Sequence, residues 1–162
     1  MIDLLVIDGY NVIHALNRYR DLRREGMETA VDKLLADLIN LTGSAGMDIV
    51  VVFDGRRAGS ETKIGRLTVV YSNAGQTADA VIERLVFESA GEVKIAVCTG
   101  DYAQQKVVGR RGVRRMAPRE LEDLMAAAAE ESKSPAAGAK RNRLEDGLSE
   151  SMRRRLEEMR RS

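Results

Sequence analysis

Residues 4–11 read LLVIDGYN, a short and continuous apolar run that ends abruptly in a carboxylate, a glycine and an asparagine. An unbroken apolar run of strand length is typical of a strand that is covered on both faces, as in a parallel sheet flanked by helices. The stretch therefore predicts a buried strand that delivers Asp8 to its carboxyl end.

The same pattern returns twice downstream. Residues 49–54 read IVVVFD, and residues 93–101 read VKIAVCTGD. In an open α/β sheet the ligand crevice lies outside the carboxyl ends of the strands, so Asp8, Asp54 and Asp101 are expected to enter one crevice. Carboxylates that lie close together repel each other, and such a cluster favours a bound cation.

Strands and helices alternate along the rest of the chain. After the first strand we predict a helix over 10–16 capped by Asn11, a charged loop over 17–26, a helix over 28–42 and a strand over 49–53. We then expect a polar loop over 54–66, a strand over 67–71 and a helix over 78–89 capped by Thr77. The chain continues with a strand over 93–98, a short helix over 102–108, a strand over 113–116 and a helix from Pro118. This order indicates an α/β fold with a mainly parallel sheet and right-handed crossovers.

The helix predicted over 78–89 carries further acids. Asp79 lies in its first turn, where the helix dipole favours a negative charge, and Glu83 lies one turn further along the same side. The apolar residues of the segment supply the opposite side, which we expect to pack on the sheet. Both acids can then lie on the crevice side.

Composition excludes several classes of protein. The 44% hydrophobic and 31% charged content is typical of a soluble globular protein, and the 4% aromatic content argues against a stacking platform for nucleic acid. Cys98 is the single cysteine and is expected to be a buried small residue, and His14 is the single histidine, so a histidine-based zinc site or catalytic triad is hard to build. With no leader-like or membrane-spanning run, we expect a cytoplasmic, membrane-free protein.

The glycines fit no nucleotide-binding fingerprint, so no nucleotide cofactor is indicated. We expect a turn at each of five glycines, which are Gly9, Gly55, Gly75, Gly100 and Gly112.

The charge distribution divides the chain. The first 132 residues carry 17 Lys and Arg against 20 Asp and Glu, whereas residues 133–162 carry nine against five. A Ser, Pro, Ala, Gly and Lys-rich stretch follows the last predicted helix. We therefore predict a domain over 1–132, a linker over 133–141 and a basic amphipathic helical tail over 142–162, which needs a surface on which to dock.

The acids predict a reaction. Asp8, Asp79 and Asp101 offer hard oxygen ligands, which suit Mg²⁺ or Mn²⁺. Such an ion activates water and neutralises the charge that grows on a scissile phosphate, so the set predicts phosphodiester hydrolysis. The alternative at each position is structural, because an acid at a strand end or a helix N-terminus can simply cap a loop or a helix.

Basic and aromatic residues near the crevice are candidates for contacts with RNA phosphates and bases. These candidates are Arg56, Arg57, Tyr102, Arg110, Arg111, Arg114 and Arg115. For each of them, an ordinary solvated surface is the alternative.

Several strings resemble a known family. VIDGYN at 6–11, VVFD at 51–54, QTADAVIE at 76–83, TGDY at 99–102 and PREL at 118–121 are similar to the YacP-like branch of the NYN domain family, which belongs to the PIN-like nucleases. The resemblance runs in order over nearly the whole chain, and the arginine-rich tail resembles the C-terminal extension of that family. Some bacterial members are ribosome-associated endoribonucleases.

The resemblance implies a three-layer α/β/α domain and a metal-dependent endoribonuclease that acts on single-stranded RNA, including mRNA on the ribosome. By position it implies an acidic pocket of Asp8, Asp79 and Asp101, shaped by Asn11. Asp54 matches a recurrent family acid, and with Glu83 it is expected to tune or share the site.

The sequence departs from the family pattern at two places. Gly100 stands where relatives carry Ser, which removes a hydroxyl beside the pocket, and the pair Arg110 and Arg111 makes one turn more basic, which bears on substrate preference.

Two other functions fit the same residues. One is a non-catalytic RNA- or ribosome-binding module of the same fold, which docks through the basic tail. The other is a phosphoacceptor receiver domain, since Asp8, Asp54 and Thr99 also follow successive strands, although it lacks the acidic pair and the lysine of such a site.

Overall fold

A computed structural model describes residues 2–55, 59–89, 91, 93–100 and 113–132. Its strands are β1 (Leu4–Asp8), β2 (Asp48–Phe53), β3 (Ser60–Ile64), β4 (Leu67–Tyr71), β5 (Ile95–Cys98) and β6 (Arg114–Met116). Its helices are α1 (Gly9–Ala15), α2 (Arg20–Glu25), α3 (Met27–Ala45), α4 (Ala78–Ser89) and α5 (Pro118–Ser132), with a 3-10 turn at Asn17–Tyr19. The short helix predicted over 102–108 and the tail lie outside these residues, so both stay predictions, as does the domain boundary at 132.

The strands form one sheet in the order β3-β4-β2-β1-β5-β6. Every neighbouring pair is parallel except β3 and β4, which form an antiparallel hairpin. The central strand β1 pairs with β2 from Leu4 opposite Asp48 and with β5 from Leu4 opposite Ile95. The carboxyl ends of β1, β2 and β5 therefore meet at one edge of the sheet, as the sequence predicts.

Alternating residues of β1 divide the core into two layers. Leu5 and Ile7 pack with the apolar sides of α1, α3 and α5 on one face of the sheet. Val6 packs on the other face with Val81, Ile82 and other apolar residues of α4. The continuous apolar runs are thus explained by burial on both faces, and the predicted three-layer α/β/α architecture is confirmed.

Residues 60–64, predicted as part of a polar loop, form the edge strand β3. The segment reads SETKI, so only its last residue is buried, and the other residues are exposed or half-buried. Its pairing with β4 runs from Ser60 opposite Tyr71 to Ile64 opposite Leu67, across a turn in which Gly65 has φ 60°. An edge strand needs no apolar run, because its partner strand supplies the hydrogen bonds.

Residues 17–26, predicted as a charged loop, form the 3-10 turn and α2. Tyr19 anchors them, because its ring is fully buried and its hydroxyl donates a 2.8 Å hydrogen bond to Asp37 Oδ2 on α3. Burial, followed by the negative charge of Asp37, raises the pKa of the Tyr19 hydroxyl far above its usual value. Asp37 also pairs with Lys33 at 3.1 Å and with Arg18 at 3.5 Å.

Tyr19→Phe is expected to lower the free energy of unfolding by about 1.5 kcal/mol, because it removes a hydrogen bond to a charged group and leaves the ring in place. Urea unfolding followed by circular dichroism measures the loss. Lys33→Gln is the control, since it removes an exposed partner of the same carboxylate and should cost at most about 0.5 kcal/mol. An equal cost for both variants would mean that the Tyr19 hydroxyl is not the anchor.

The single cysteine is a core residue. Cys98 is fully buried in β5, as predicted, and burial raises the pKa of its thiol to about 12. In the part of the chain that the structure describes, no helix has the length and apolar character needed to cross a membrane.

Candidate functional site

Asp8 ends β1 at the carboxyl edge of the sheet. It is 9% exposed, and its backbone forms the N-cap of α1 in an extended conformation with φ −80° and ψ 99°. Its side chain makes no capping hydrogen bond to that helix. Capping of α1 therefore does not account for a largely buried carboxylate at this position.

Gly9 follows Asp8 and begins α1, so the prediction that it marks a turn is wrong. A Cβ atom at Gly9 would lie 2.2 Å from the Phe53 ring at the end of β2. That ring in turn contacts Tyr10 with a centroid distance of 4.9 Å and Tyr71 with one of 5.2 Å. Glycine is needed here because the aromatic cluster fills the space beside Asp8, and Tyr10 packs against the core.

The prediction that Asn11 caps α1 is wrong, because Asp8 occupies the N-cap position. Asn11 lies inside the helix, and its Oδ1 accepts a 2.7 Å hydrogen bond from the backbone N–H of Gly100. The amide thus ties α1 to the segment that follows β5 and leads to Asp101. A Cβ atom at Gly100 would lie 3.3 Å from Asn11 Oδ1, so a serine at this position would need a small shift of Asn11.

Asp54 follows β2 at the same edge. Its Oδ1 accepts a 2.6 Å hydrogen bond from the backbone N–H of Ala78, the first residue of α4. The structural alternative considered for each acid is therefore realised at Asp54, where the carboxylate caps a helix that lies 24 residues further along the chain.

Asp79 lies in the first turn of α4 and is half-buried, whereas Glu83, one turn further along, is exposed. The predicted cap is confirmed, because Thr77 Oγ1 accepts a 3.1 Å hydrogen bond from the backbone N–H of Ala80. Helix α4 packs on β1 and β2, and the hydrogen bond from Ala78 to Asp54 places its first turn at the edge where β1 ends in Asp8 and Asp54 follows β2.

The donor chemistry at this edge fits a hard divalent cation. Asp8 and Asp79 supply carboxylate oxygens, and one or two carboxylates are the usual protein ligands of Mg²⁺. Asp101, the third predicted ligand, lies outside the described residues. Among the residues that are described, no three His, Cys, Asp or Glu side chains form a group that could hold a metal ion.

Arg114 and Arg115 of the predicted RNA-binding set lie on the edge strand β6 and are exposed. Successive side chains of a strand point to opposite faces. Arg114 lies 3.5 Å from Glu120 of α5, so Arg115 belongs to the opposite face, and an RNA strand along one face would contact only one of them. The remaining members lie outside the described residues, and they are Arg56, Arg57, Tyr102, Arg110 and Arg111.

Sequence reasoning missed the two residues that hold the loop after β2. Ser72 is 2% exposed and accepts a 2.9 Å hydrogen bond from the backbone N–H of Gly55, and Asn73 Oδ1 accepts one of 2.7 Å from that of Gly59. Ser and Asn directly after a strand are typical of side chains that bond to nearby backbone, which was the available signal.

Comparisons with known proteins point to one family. Protein YacP of Bacillus subtilis (strain 168) is 33% identical over 124 residues, which are 74% of this chain and 72% of YacP. A crystal structure of Rae1 (YacP) from Bacillus subtilis matches with a TM-score of 0.72 at 27% identity, over 99% of this chain and 96% of that one. A crystal structure of a mutant of the same protein matches with a TM-score of 0.70 at 29% identity, over 80% of this chain and 77% of that one.

The sequence profile of the YacP-like NYN domain matches residues 5–161, which is nearly the whole chain. This nuclease-like fold gives no support to the receiver-domain alternative, whose phosphoacceptor would be Asp54, here engaged with the N-terminus of α4. The sequence and the fold of this chain together show that it belongs to the YacP-like NYN domain family.

Proposed function

We propose that this protein is a metal-dependent endoribonuclease that hydrolyses phosphodiester bonds in single-stranded RNA. The observation that carries the proposal is the buried carboxylate of Asp8 at the carboxyl edge of the sheet, where α4 begins with Asp79 in its first turn. In α/β sheets this edge is where ligands bind. Membership of a family with a nuclease-like fold supports the same conclusion.

In this proposal Asp8, Asp79 and Asp101 hold Mg²⁺ or Mn²⁺. When bound, the ion lowers the pKa of water and offsets the charge of the phosphate that is attacked. The dipole of α4 favours the negative charge of Asp79 at its first turn. Asn11 holds the backbone at Gly100 and thereby fixes the start of the segment that carries Asp101.

The proposed substrate extends to mRNA that is engaged by the ribosome, which places the protein in the cytoplasm. Support comes from the family resemblance and from the excess of basic residues in 133–162, nine against five acidic. Basic segments bind RNA phosphates without regard to sequence. The arginines predicted at the rim of the crevice would add to this attraction.

Cleavage of a mixed single-stranded RNA by the full chain is expected to require Mn²⁺ or Mg²⁺, and to fall at least about 100-fold in Asp79→Asn. Gel analysis of end-labelled RNA, with and without chelator, measures it. Glu88→Gln is the matched control, because Glu88 is an exposed acid in the last turn of the same helix, and it should cleave normally.

Wild-type protein that binds RNA but does not cut it, either free or on translating ribosomes, would refute the nuclease. It would favour the alternative, a non-catalytic RNA- or ribosome-binding module. Cleavage that persists in chelator would refute the metal dependence.

A further inference from the structure

We infer that Asp54 is a positioning residue, which holds the first turn of α4 and with it Asp79, and that it is not a ligand of the metal. The inference rests on the proposed metal-dependent function. It assigns to Asp54 a role different from that of the other acids at the edge.

The contact between Asp54 and α4 is short and comes from a distant part of the chain. Asp54 Oδ1 lies 2.6 Å from the backbone nitrogen of Ala78, the residue directly before Asp79. The first amides of a helix have no acceptor within the helix, and a side-chain oxygen at this place stabilises the first turn. The bond therefore joins the end of β2 to the start of α4.

The rest of α4 is held in a different way. Val81, Ile82 and Val86 pack with Val6 and Val52 of the sheet, and Ala78 belongs to the same apolar cluster. Next to Asp79 this packing is supplied by the single methyl group of Ala78, and the larger apolar side chains lie further along the helix. Thr77 caps the first turn from within the same segment, so the cap does not tie the turn to the sheet edge, whereas the bond to Asp54 does.

Asp54 itself is fixed by the residues on both sides of it. The Gly55 N–H donates to Ser72 Oγ at 2.9 Å, and the Ser72 N–H donates to the Phe53 carbonyl at 3.0 Å. Ser72 follows β4, so the backbone at Asp54 is held against the neighbouring strand. A carboxylate on such a support can set the place of the helix that it caps.

Capping needs an oxygen acceptor and does not need a charge. Asparagine offers the same Oδ1 and is as good a cap as aspartate. A metal ligand needs the ionised carboxylate, which asparagine lacks. The two roles of Asp54 therefore predict opposite results for Asp54→Asn.

The test compares Asp54→Asn with Asp54→Ala in the full chain, using Mn²⁺ as the probe. Calorimetric titration should give a dissociation constant within about threefold of wild type for Asp54→Asn, and one about tenfold weaker or more for Asp54→Ala. Hydrogen exchange at the Ala78 amide should be fast in Asp54→Ala and remain slow in Asp54→Asn. Asp79→Asn gives the reference loss for a ligand.

An Asp54→Asn protein that loses as much Mn²⁺ affinity as Asp79→Asn would make Asp54 a ligand and overturn the inference. So would an Asp54→Ala protein whose Mn²⁺ affinity and Ala78 exchange both match wild type. If Asp54→Ala does not fold, Asp54→Asn alone decides.

If wild type binds no Mn²⁺, the proposed function fails by itself. Hydrogen exchange at the Ala78 amide then still tests whether Asp54 holds α4. That role requires the amide to exchange as slowly in Asp54→Asn as it does in wild type.

Discussion

Asp8→Asn is expected to lower the rate of metal-dependent RNA cleavage by at least about 10³-fold, which corresponds to about 4 kcal/mol of transition-state stabilisation. The side chain keeps its size, so the buried end of β1 should retain its packing, while the site loses a negative charge. Single-turnover cleavage at saturating RNA and fixed Mn²⁺ measures the rate, and thermal unfolding shows that the variant is folded.

Asp48→Asn is the matched control for Asp8→Asn. Asp48 begins β2 opposite Leu4, so it lies at the amino edge of the same sheet, and it pairs with Arg66 Nε at 2.8 Å on the surface. Loss of an exposed ion pair costs at most about 1 kcal/mol of stability and should leave cleavage unchanged. If Asp48→Asn cut as slowly as Asp8→Asn, or if both cut at the wild-type rate, the reaction would not be centred at the carboxyl edge.

The buried elements could be predicted from the sequence because burial dictates their composition. Strands β1 and β5 are covered on both faces and read as continuous apolar runs, and α3 shows a regular apolar stripe toward the sheet. Strand β3 could not be predicted in this way, because its residues form no apolar run and only its hydrogen bonds to β4 make it a strand. Helix α2 has no buried residue and so shows no apolar stripe.

The placement of the candidate site was predictable, but the partners of its side chains were not. An acid at the end of an apolar run is a local signal, and Asp8 and Asp54 lie where this signal places them. The partner of Asn11 is 89 residues away at Gly100, and that of Asp54 is 24 residues away at Ala78. Such pairs depend on which segments meet in the fold, and local patterns do not record this.

Gly55→Ala is expected to lower the free energy of unfolding by about 3 kcal/mol, because a Cβ atom there would lie 1.8 Å from the backbone carbonyl oxygen of Ser72. A backbone atom cannot rotate away as a flexible side chain can. The ends of β2 and β4 must therefore separate, and the hydrogen bond from Gly55 to Ser72 Oγ is lost with them. Urea unfolding measures the change.

Gly65→Ala separates this close approach from the ordinary cost of replacing a glycine. Gly65 has φ 60°, and a Cβ atom there would meet no atom within 4 Å, so alanine costs only the strain of a left-handed residue, about 1 kcal/mol. Because Gly55 follows Asp54, Gly55→Ala should also speed hydrogen exchange at the Ala78 amide, whereas Gly65→Ala should not. Equal costs for the two variants, with Ala78 protected in both, would show that contact between Gly55 and Ser72 does not hold the edge on which Asp54 and α4 depend.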